Sequence, residues 1–158
     1  MLKIRRASEA DVDILSPLKA AVHDQHVKAR PDFFKPMRPE DVGSWLRKRL
    51  GEEATHVWLA EDCGILAGYV LATRRHREET PYSLERQWCE IDEIIVATTY
   101  RQRGIARALM ARAIAHAHES GLNAIELSTW AFNEYAHIAF ARLGFQPMLV
   151  RYQLGTGS

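Results

Sequence analysis

The sequence predicts an α/β (α+β) domain, a mixed sheet with helices on both faces. Three observations carry this reading. Apolar residues recur with period two in some stretches and period 3.6 in others, in the order strand, helices, three strands, helix, strand, helix, strand. The chain has 158 residues, the length of a single domain spanning 1–158. Its composition, 47% hydrophobic and 26% charged, is that of a globular protein and excludes a mainly disordered one.

Each element has a local reason. Residues 2–7 (LKIRRA) alternate as a short strand. Ser8-Glu9-Ala10-Asp11 fits a capping box ahead of Val12, Ile14, Leu15, Leu18 and Val22, so a first helix runs to about residue 29. Pro31, Pro36 and Pro39 make the next stretch an irregular loop holding Phe33, Phe34 and Met37. Pro39 suits the first turn of a second helix, with Val42, Trp45, Leu46 and Leu50 on one face and Gly51 at its end. Residues 56–61 and 65–73 flank Asp62-Cys63-Gly64 and read as a hairpin. A charged, turn-rich insert over 74–86 precedes the strongest strand candidate, 87–97 (QWCEIDEIIVA). A third helix starts at Gly104, with Ile105, Ala106, Leu109, Met110, Ala113, Ile114 and Ala117 on one stripe, and ends at Gly121. Residues 122–129 form a strand. Asn133 caps a short helix with Ala136, Ala139, Phe140 and Leu143 at helical spacing. Gly144 closes that helix, and a last strand covers 145–154.

Charge and cysteine content narrow the function classes. Lysine plus arginine is 21 against 20 acidic residues, a net charge of +1, which argues against a nucleic-acid arm or a polybasic membrane patch. Cys63 and Cys89 form no CxxC, so neither a disulfide framework nor a zinc knuckle is expected. The polar start lacks the apolar core of a signal peptide, and no run approaches 18 apolar residues. These features together predict a cytoplasmic protein without membrane or nucleic-acid partners.

The most informative stretch is residues 96–110, VATTYRQRGIARALM. A buried strand ends at Val96, a polar loop follows, and a helix begins. The first turn of a helix carries N–H groups without internal partners and the positive end of the helix dipole. A pyrophosphate accepts from such groups. Gly104 admits close approach of the main chain, Ala106 adds little bulk, and Arg101 and Arg103 add charge-assisted donors. Neither GxxxxGK[ST] nor GxGxxG occurs, which disfavours a P-loop enzyme or a dinucleotide dehydrogenase.

Residues 91–110 resemble the acetyl-CoA signature of the GNAT superfamily of N-acetyltransferases: a strand spaced like Ile91, Ile94 and Val96, then [RQ]-x-x-G-x-[GA] at Arg101, Gly104 and Ala106, then an amphipathic helix. Residues 133–145, NEYAHIAFARLGF, resemble the family's N-x-x-A-x-x-x-Y-x-x-x-G-F segment at Asn133, Ala136, Gly144 and Phe145. The opening IRRASEADVDIL is similar to the family's first strand and acid-capped helix. The resemblance covers most of the chain and is weakest over about 25–55.

It implies a mostly antiparallel, splayed central sheet of about six to seven strands, with acetyl-CoA as co-substrate wedged between the strand ending at Val96 and that at 122–129. Val96 and Thr98 would offer backbone groups to the pantetheine arm. Arg101, Gln102, Arg103, Gly104, Ile105 and Ala106 would cradle the pyrophosphate. Asn133 would bond the pantetheine arm, with Ala136 and Phe140 packing near the cofactor. The implied activity is acetyl transfer to a primary amine, on a small molecule or a peptide, by direct attack in a ternary complex. A non-catalytic or weakly active acyl-CoA-binding or sensory module is the alternative, and homodimers are common in the family.

An alkyl ammonium at pH 7 costs about 4.6 kcal/mol to deprotonate, so a base is useful. Glu93, Asp92 and Glu90 lie on the strand beside the implied thioester. Alternation sets Glu90 and Asp92 on one face and Glu93 on the other, and the bulge common in the family inverts that parity. Glu93 or Asp92 is the expected base, with Glu90 behind them. They compete with a reading as plain ion-pair partners. The tyrosine position that protonates the leaving thiolate in the family holds Phe140, which has no proton to give; Tyr135, His137 or a water would substitute.

Other features read as structural. His23 and His26 share a helical face as surface or substrate-lining residues rather than metal ligands, and no metal site is expected. His116 and His118 read as surface residues. Arg74, Arg75 and Arg77, followed by Glu78 and Glu79, read as a solvated loop rather than a nucleic-acid contact. The four tryptophans read as core or pocket wall. By resemblance, the loop of Phe33, Phe34 and Met37 lies where related folds build the acceptor pocket, and Phe33, Phe34 and His26 are the substrate candidates.

Overall fold

The computed structural model describes residues 1–157 and divides the chain into two compact units, Met1–Ser128 and Thr129–Ser158. The first holds the sheet. Its elements are β1 (Leu2–Arg6), a single 3-10 turn at Glu9–Asp11, α1 (Val12–Ala29), α2 (Pro39–Gly51), β2 (Thr55–Asp62), β3 (Ile65–Arg77), β4 (Arg86–Val96), a second 3-10 turn at Thr98–Tyr100, α3 (Ile105–Glu119) and β5 (Ile125–Leu127). The strands lie in the order β1-β2-β3-β4-β5. Neighbours are antiparallel except β4 and β5, which run parallel.

Local chemistry explains the element boundaries. The Ser8 amide donates to Asp11 at 2.7 Å, closing the expected capping interaction, and Arg5 clamps the same carboxylate at 2.7 and 3.0 Å. This locks the turn from β1 into α1.

The two faces of the sheet are covered differently. Val12 and Leu15 of α1 and Val42 and Leu46 of α2 cluster with Val57, Leu59, Tyr69, Leu71 and Ile95 of the sheet. The opposite face carries Trp58 and Val70, and His116 of α3 packs at a tilt against Trp58 with ring centroids 5.0 Å apart. There α3 buries Leu109, Met110, Ala113 and Ala117. Helices therefore cover both faces, as the hydrophobic periods predict.

Three expectations change. The sheet has five strands among the described residues rather than six to seven, because 145–154 forms no strand. No ladder pairing is found for that segment among the described residues. The insert 74–86 is a loop only over residues 78–85. β3 continues to Arg77 and β4 starts at Arg86, with Arg74↔Cys89, Arg75↔Trp88, His76↔Gln87 and Arg77↔Arg86 opposed. Charged residues fit this extension because its exposed side chains face solvent. Strand β5 is also shorter than the expected 122–129.

The second unit contains α4 (Glu134–Arg142). Asn133 caps it, its side-chain oxygen accepting from the Ala136 amide at 3.3 Å. Phe140 and Phe145 meet edge-on at 5.9 Å. No helix among the described residues is long and apolar enough to cross a membrane.

Candidate active site

The site grows from an irregularity in β4. Leu71 opposes Glu93, yet Ala72 opposes Ile91, so Asp92 is an extra residue in the ladder. A bulge of this kind gives two consecutive residues on one strand a single partner on the other. Its consequence is direct: Asp92 and Glu93 face the same side, that of α1 and α2. Glu93 accepts from the Tyr69 hydroxyl at 2.6 Å and from Lys19 Nζ of α1. Asp92 accepts from Arg49 of α2 at 2.7 Å, from Thr73 at 2.5 Å and from Arg75 at 3.0 Å. Glu90 opposes Thr73 and so shares that face, accepting from Trp88 Nε1 at 2.8 Å. Simple alternation would have separated Glu93 from the other two; the bulge gathers all three.

Lys19 and Tyr69 escape the sequence reading, which has Trp45 only as core or pocket wall. Lys19 is 8% exposed, its ammonium 3.7 Å from the Trp45 ring centroid. Burial and the Glu93 charge hold the Tyr69 phenol well above its ordinary pKa, so it stays a donor. The hint for Tyr69 is its place in β3, but only the register reveals that it reaches Glu93. Nothing in the sequence marks Lys19, one of two lysines in a helix whose orientation depends on tertiary packing.

Beyond the bulge the sheet opens. Strand β5 pairs with β4 only over Cys89–Ile91, so Asp92–Val96 have no ladder partner on that side among the described residues. Ala97 N–H donates to the Ala67 carbonyl at 2.8 Å on the β3 side. Alternation therefore turns the Val96 main-chain N–H and C=O away from β3, toward the open edge. At the same level Gly68 opposes Val96, and a Cβ there would sit 2.5 Å from the Ile95 carbonyl oxygen, which accounts for a glycine in a buried strand.

The loop after β4 leads into α3. Thr98 lies in the 3-10 turn; Gln102 and Gly104 both adopt left-handed conformations, with φ of 62° and 77°. Gly104 is the N-cap of α3 and offers no side-chain cap, and the first helical bond runs from Ala108 N–H to the Gly104 carbonyl. The amides of Ile105, Ala106 and Arg107 are thus left to other acceptors. Ile105 is buried and contributes only its backbone, while Ala106 is half-buried. A Cβ built on Gly104 meets no atom within 4 Å. An uncapped helix start with open space before it fits an acidic phosphate group.

The residues expected to wall an acceptor also meet. Phe34 packs edge-on against His26 at 5.3 Å, His23 at 6.0 Å and Phe33 at 4.9 Å. Lys19, His23 and His26 follow at i, i+4 and i+7, one stripe of α1. No group of three or more metal-ligating side chains occurs among the described residues.

A family model described as the acetyltransferase (GNAT) family matches residues 20–145. The chain belongs to the acetyltransferase (GNAT) family. Solved structures resemble this GNAT chain closely in fold. A tetramutant of the BH1408 protein from Bacillus halodurans matches at TM-score 0.92 and 25% identity, covering 97% of this chain and 99% of that one. Aminoglycoside N-acetyltransferase AAC(6')-Iy in complex with CoA matches at TM-score 0.78 and 17% identity, over 98% and 95%. The ribosomal-protein-alanine N-acetyltransferase from Brucella melitensis matches at 0.72 and 20%, over 99% and 100%.

Proposed function

We propose that this GNAT chain, acting as one domain, is an N-acetyltransferase that moves an acetyl group from acetyl-CoA to a primary amine by direct attack in a ternary complex. The observation that carries the reading is a conjunction on one strand: an open backbone edge at Val96, carboxylates turned together by a bulge, and an uncapped helix start just beyond. Acetyl-CoA supplies a thioester, and with it an acyl group that an amine can take.

The residues divide the work. Val96 and Thr98 offer main-chain groups to the pantetheine arm. Arg101, Gln102, Arg103, Gly104, Ile105 and Ala106 hold the pyrophosphate through amides and guanidinium donors. Asn133, Ala136 and Phe140 are assigned to the cofactor by the family resemblance alone. Glu93 takes the proton from the acceptor ammonium, with Asp92 and Glu90 on the same face as the other candidates. Lys19 and Tyr69 hold the two oxygens of Glu93 and fix its orientation. His26, Phe33 and Phe34 wall an acceptor that is a small-molecule or peptide amine, in the cytoplasm.

A thiol with pKa near 8.5 leaves tolerably as thiolate, so Phe140 in place of a tyrosine costs less than loss of the base. The expected result with an amine panel and free thiol as readout is turnover that Glu93→Gln lowers by about 10²–10⁴ in kcat, with CoA affinity unchanged. Absence of CoA binding would sink the reading. Phe140, together with the cations already paired to Asp92 and Glu93, favours the second reading, an acyl-CoA-binding module without turnover. Turnover lost in Glu93→Gln or Asp92→Asn would refute that alternative.

A further inference from the structure

An acceptor amine must bring its nitrogen within hydrogen-bond reach of the base that takes its proton. One amine of this chain already stands there. Lys19 Nζ donates to Glu93 Oε1, while Oε2 accepts from Tyr69 at 2.6 Å. The same ammonium lies 3.7 Å from the Trp45 ring centroid, so an aromatic face steadies the cation that the carboxylate holds. The chain has five lysines, and the other four, Lys3, Lys28, Lys35 and Lys48, are exposed. Lys19 alone is buried, at 8% exposure. Lysine ordinarily keeps its ammonium in water. This one is turned inward, onto the carboxylate assigned as the base.

On the acetyl-transfer reading, the thioester arrives at the same level. The phosphates sit at the turn after β4, so the pantetheine arm must run back along the strand from Val96. Asp92–Val96 have no ladder partner on the β5 side among the described residues, and β5 closes that side again at Cys89–Ile91. An arm laid on this edge therefore ends beside Glu93 and Asp92. Glu93 is three residues from Val96, about 10 Å along a strand.

We propose that Lys19 is itself an acetyl acceptor, modified by its own chain. The proposal rests on the acetyl-transfer reading and takes its base from it. Glu93 removes a proton from the Lys19 ammonium, and the freed lone pair forms an N–C bond to the thioester carbonyl carbon. The C–S bond breaks, and its electron pair leaves with the sulfur of CoA. The nitrogen sheds two protons in all: one passes through Glu93 to water, and the other ends on the thiolate as free thiol. The product is a neutral amide. Acetylation removes the charge that pairs with Glu93, which leaves Oε1 to the ammonium of an outside amine.

The test incubates the full chain with acetyl-CoA and no added amine, and follows it by intact mass and peptide mapping. The expected result is one acetyl group per chain, located on Lys19, with one equivalent of free thiol. Unassisted acetylation by the thioester favours the four exposed lysines, so label confined to them overturns the proposal. The rate constant is expected to be independent of protein concentration. A rate constant rising in proportion to concentration would mean that one copy modifies another, and would overturn it. Lys19→Arg keeps a cation facing Glu93 but offers no amine to acylate. It is expected to abolish the label with an unchanged circular dichroism spectrum, and label of undiminished extent overturns the assignment. A parallel run with outside amines separates this idea from the reading beneath it. Their turnover with Lys19 left unmodified overturns self-acetylation alone, whereas absence of CoA binding overturns both.

Discussion

Glu93 is the residue on which the most chemistry converges. Its carboxylate is 19% exposed and its partner Lys19 10%, so neither charge is well hydrated. Removing one member of such a pair leaves the other uncompensated, which typically costs 3–5 kcal/mol when burial is complete. Lys19→Met should therefore destabilise the fold by about 3 kcal/mol in chemical denaturation, and the K19M/E93Q double variant should recover part of that loss. The Arg38–Asp41 pair gives the contrast. With side chains 72% and 45% exposed, it should show a far smaller loss on truncation. Equal losses at the two sites would mean that Lys19 is solvated. Tyr69→Phe keeps the ring in the core and deletes one donor, so about 1–2 kcal/mol is expected, with kcat falling because Glu93 loses its second anchor. Phe140→Tyr should leave turnover equal or raise it, since it restores the hydroxyl that the family segment usually carries. A large fall in kcat would show that α4 has been misassigned to the thioester.

At the level of elements, the loop and the first turn of α3 act as one unit. The left-handed φ of 77° at Gly104 costs a residue with a Cβ roughly 1–2 kcal/mol, but no neighbouring atom would clash with it. Gly104→Val should thus fold, lose a modest amount of stability and bind CoA at least tenfold more weakly, as isothermal titration would read. An unchanged dissociation constant would separate this turn from the pyrophosphate. Most of this architecture is legible in the sequence because it is local. The capping interaction of Ser8 with Asp11, the proline at the start of α2, the glycine at the head of α3 and the helical stripe that follows each depend on a few adjacent residues. Non-local features are hidden. The bulge at Asp92 exists only relative to the opposing strand, and it decides which way Glu93 faces. Likewise the length of β3 depends on Arg74–Arg77 finding Arg86–Cys89 across the ladder, which no composition of the 74–86 segment announces. His116 reads as a surface residue by spacing, yet it meets His56 edge-on and Trp58 at a tilt because α3 packs there.

That histidine pair sets the first stage of the molecule's response to acid. His56 and His116 have ring centroids 4.1 Å apart, with Arg6 2.6 Å from His56 Nδ1. Burial first, then the charges of His116, Arg6 and Arg74, push His56 down to about 4; burial and Arg112 lower His116 against a smaller opposing pull from Glu119. In an unfolded chain both would titrate near 6.5. Above that pH both states are neutral and the pair contributes no slope. Between about 6.5 and 4 the unfolded state binds more protons than the folded one, so stability falls as pH falls. Below about 4 His56 is charged in both states and its slope disappears. There Asp11, held below its ordinary value chiefly by Arg5, becomes protonated and removes further stability. Melting temperature measured against pH should therefore decline in two stages, and His56→Gln should flatten the first while leaving the second intact. Were the variant to keep the full decline between pH 6.5 and 4, the paired histidines would not be its cause.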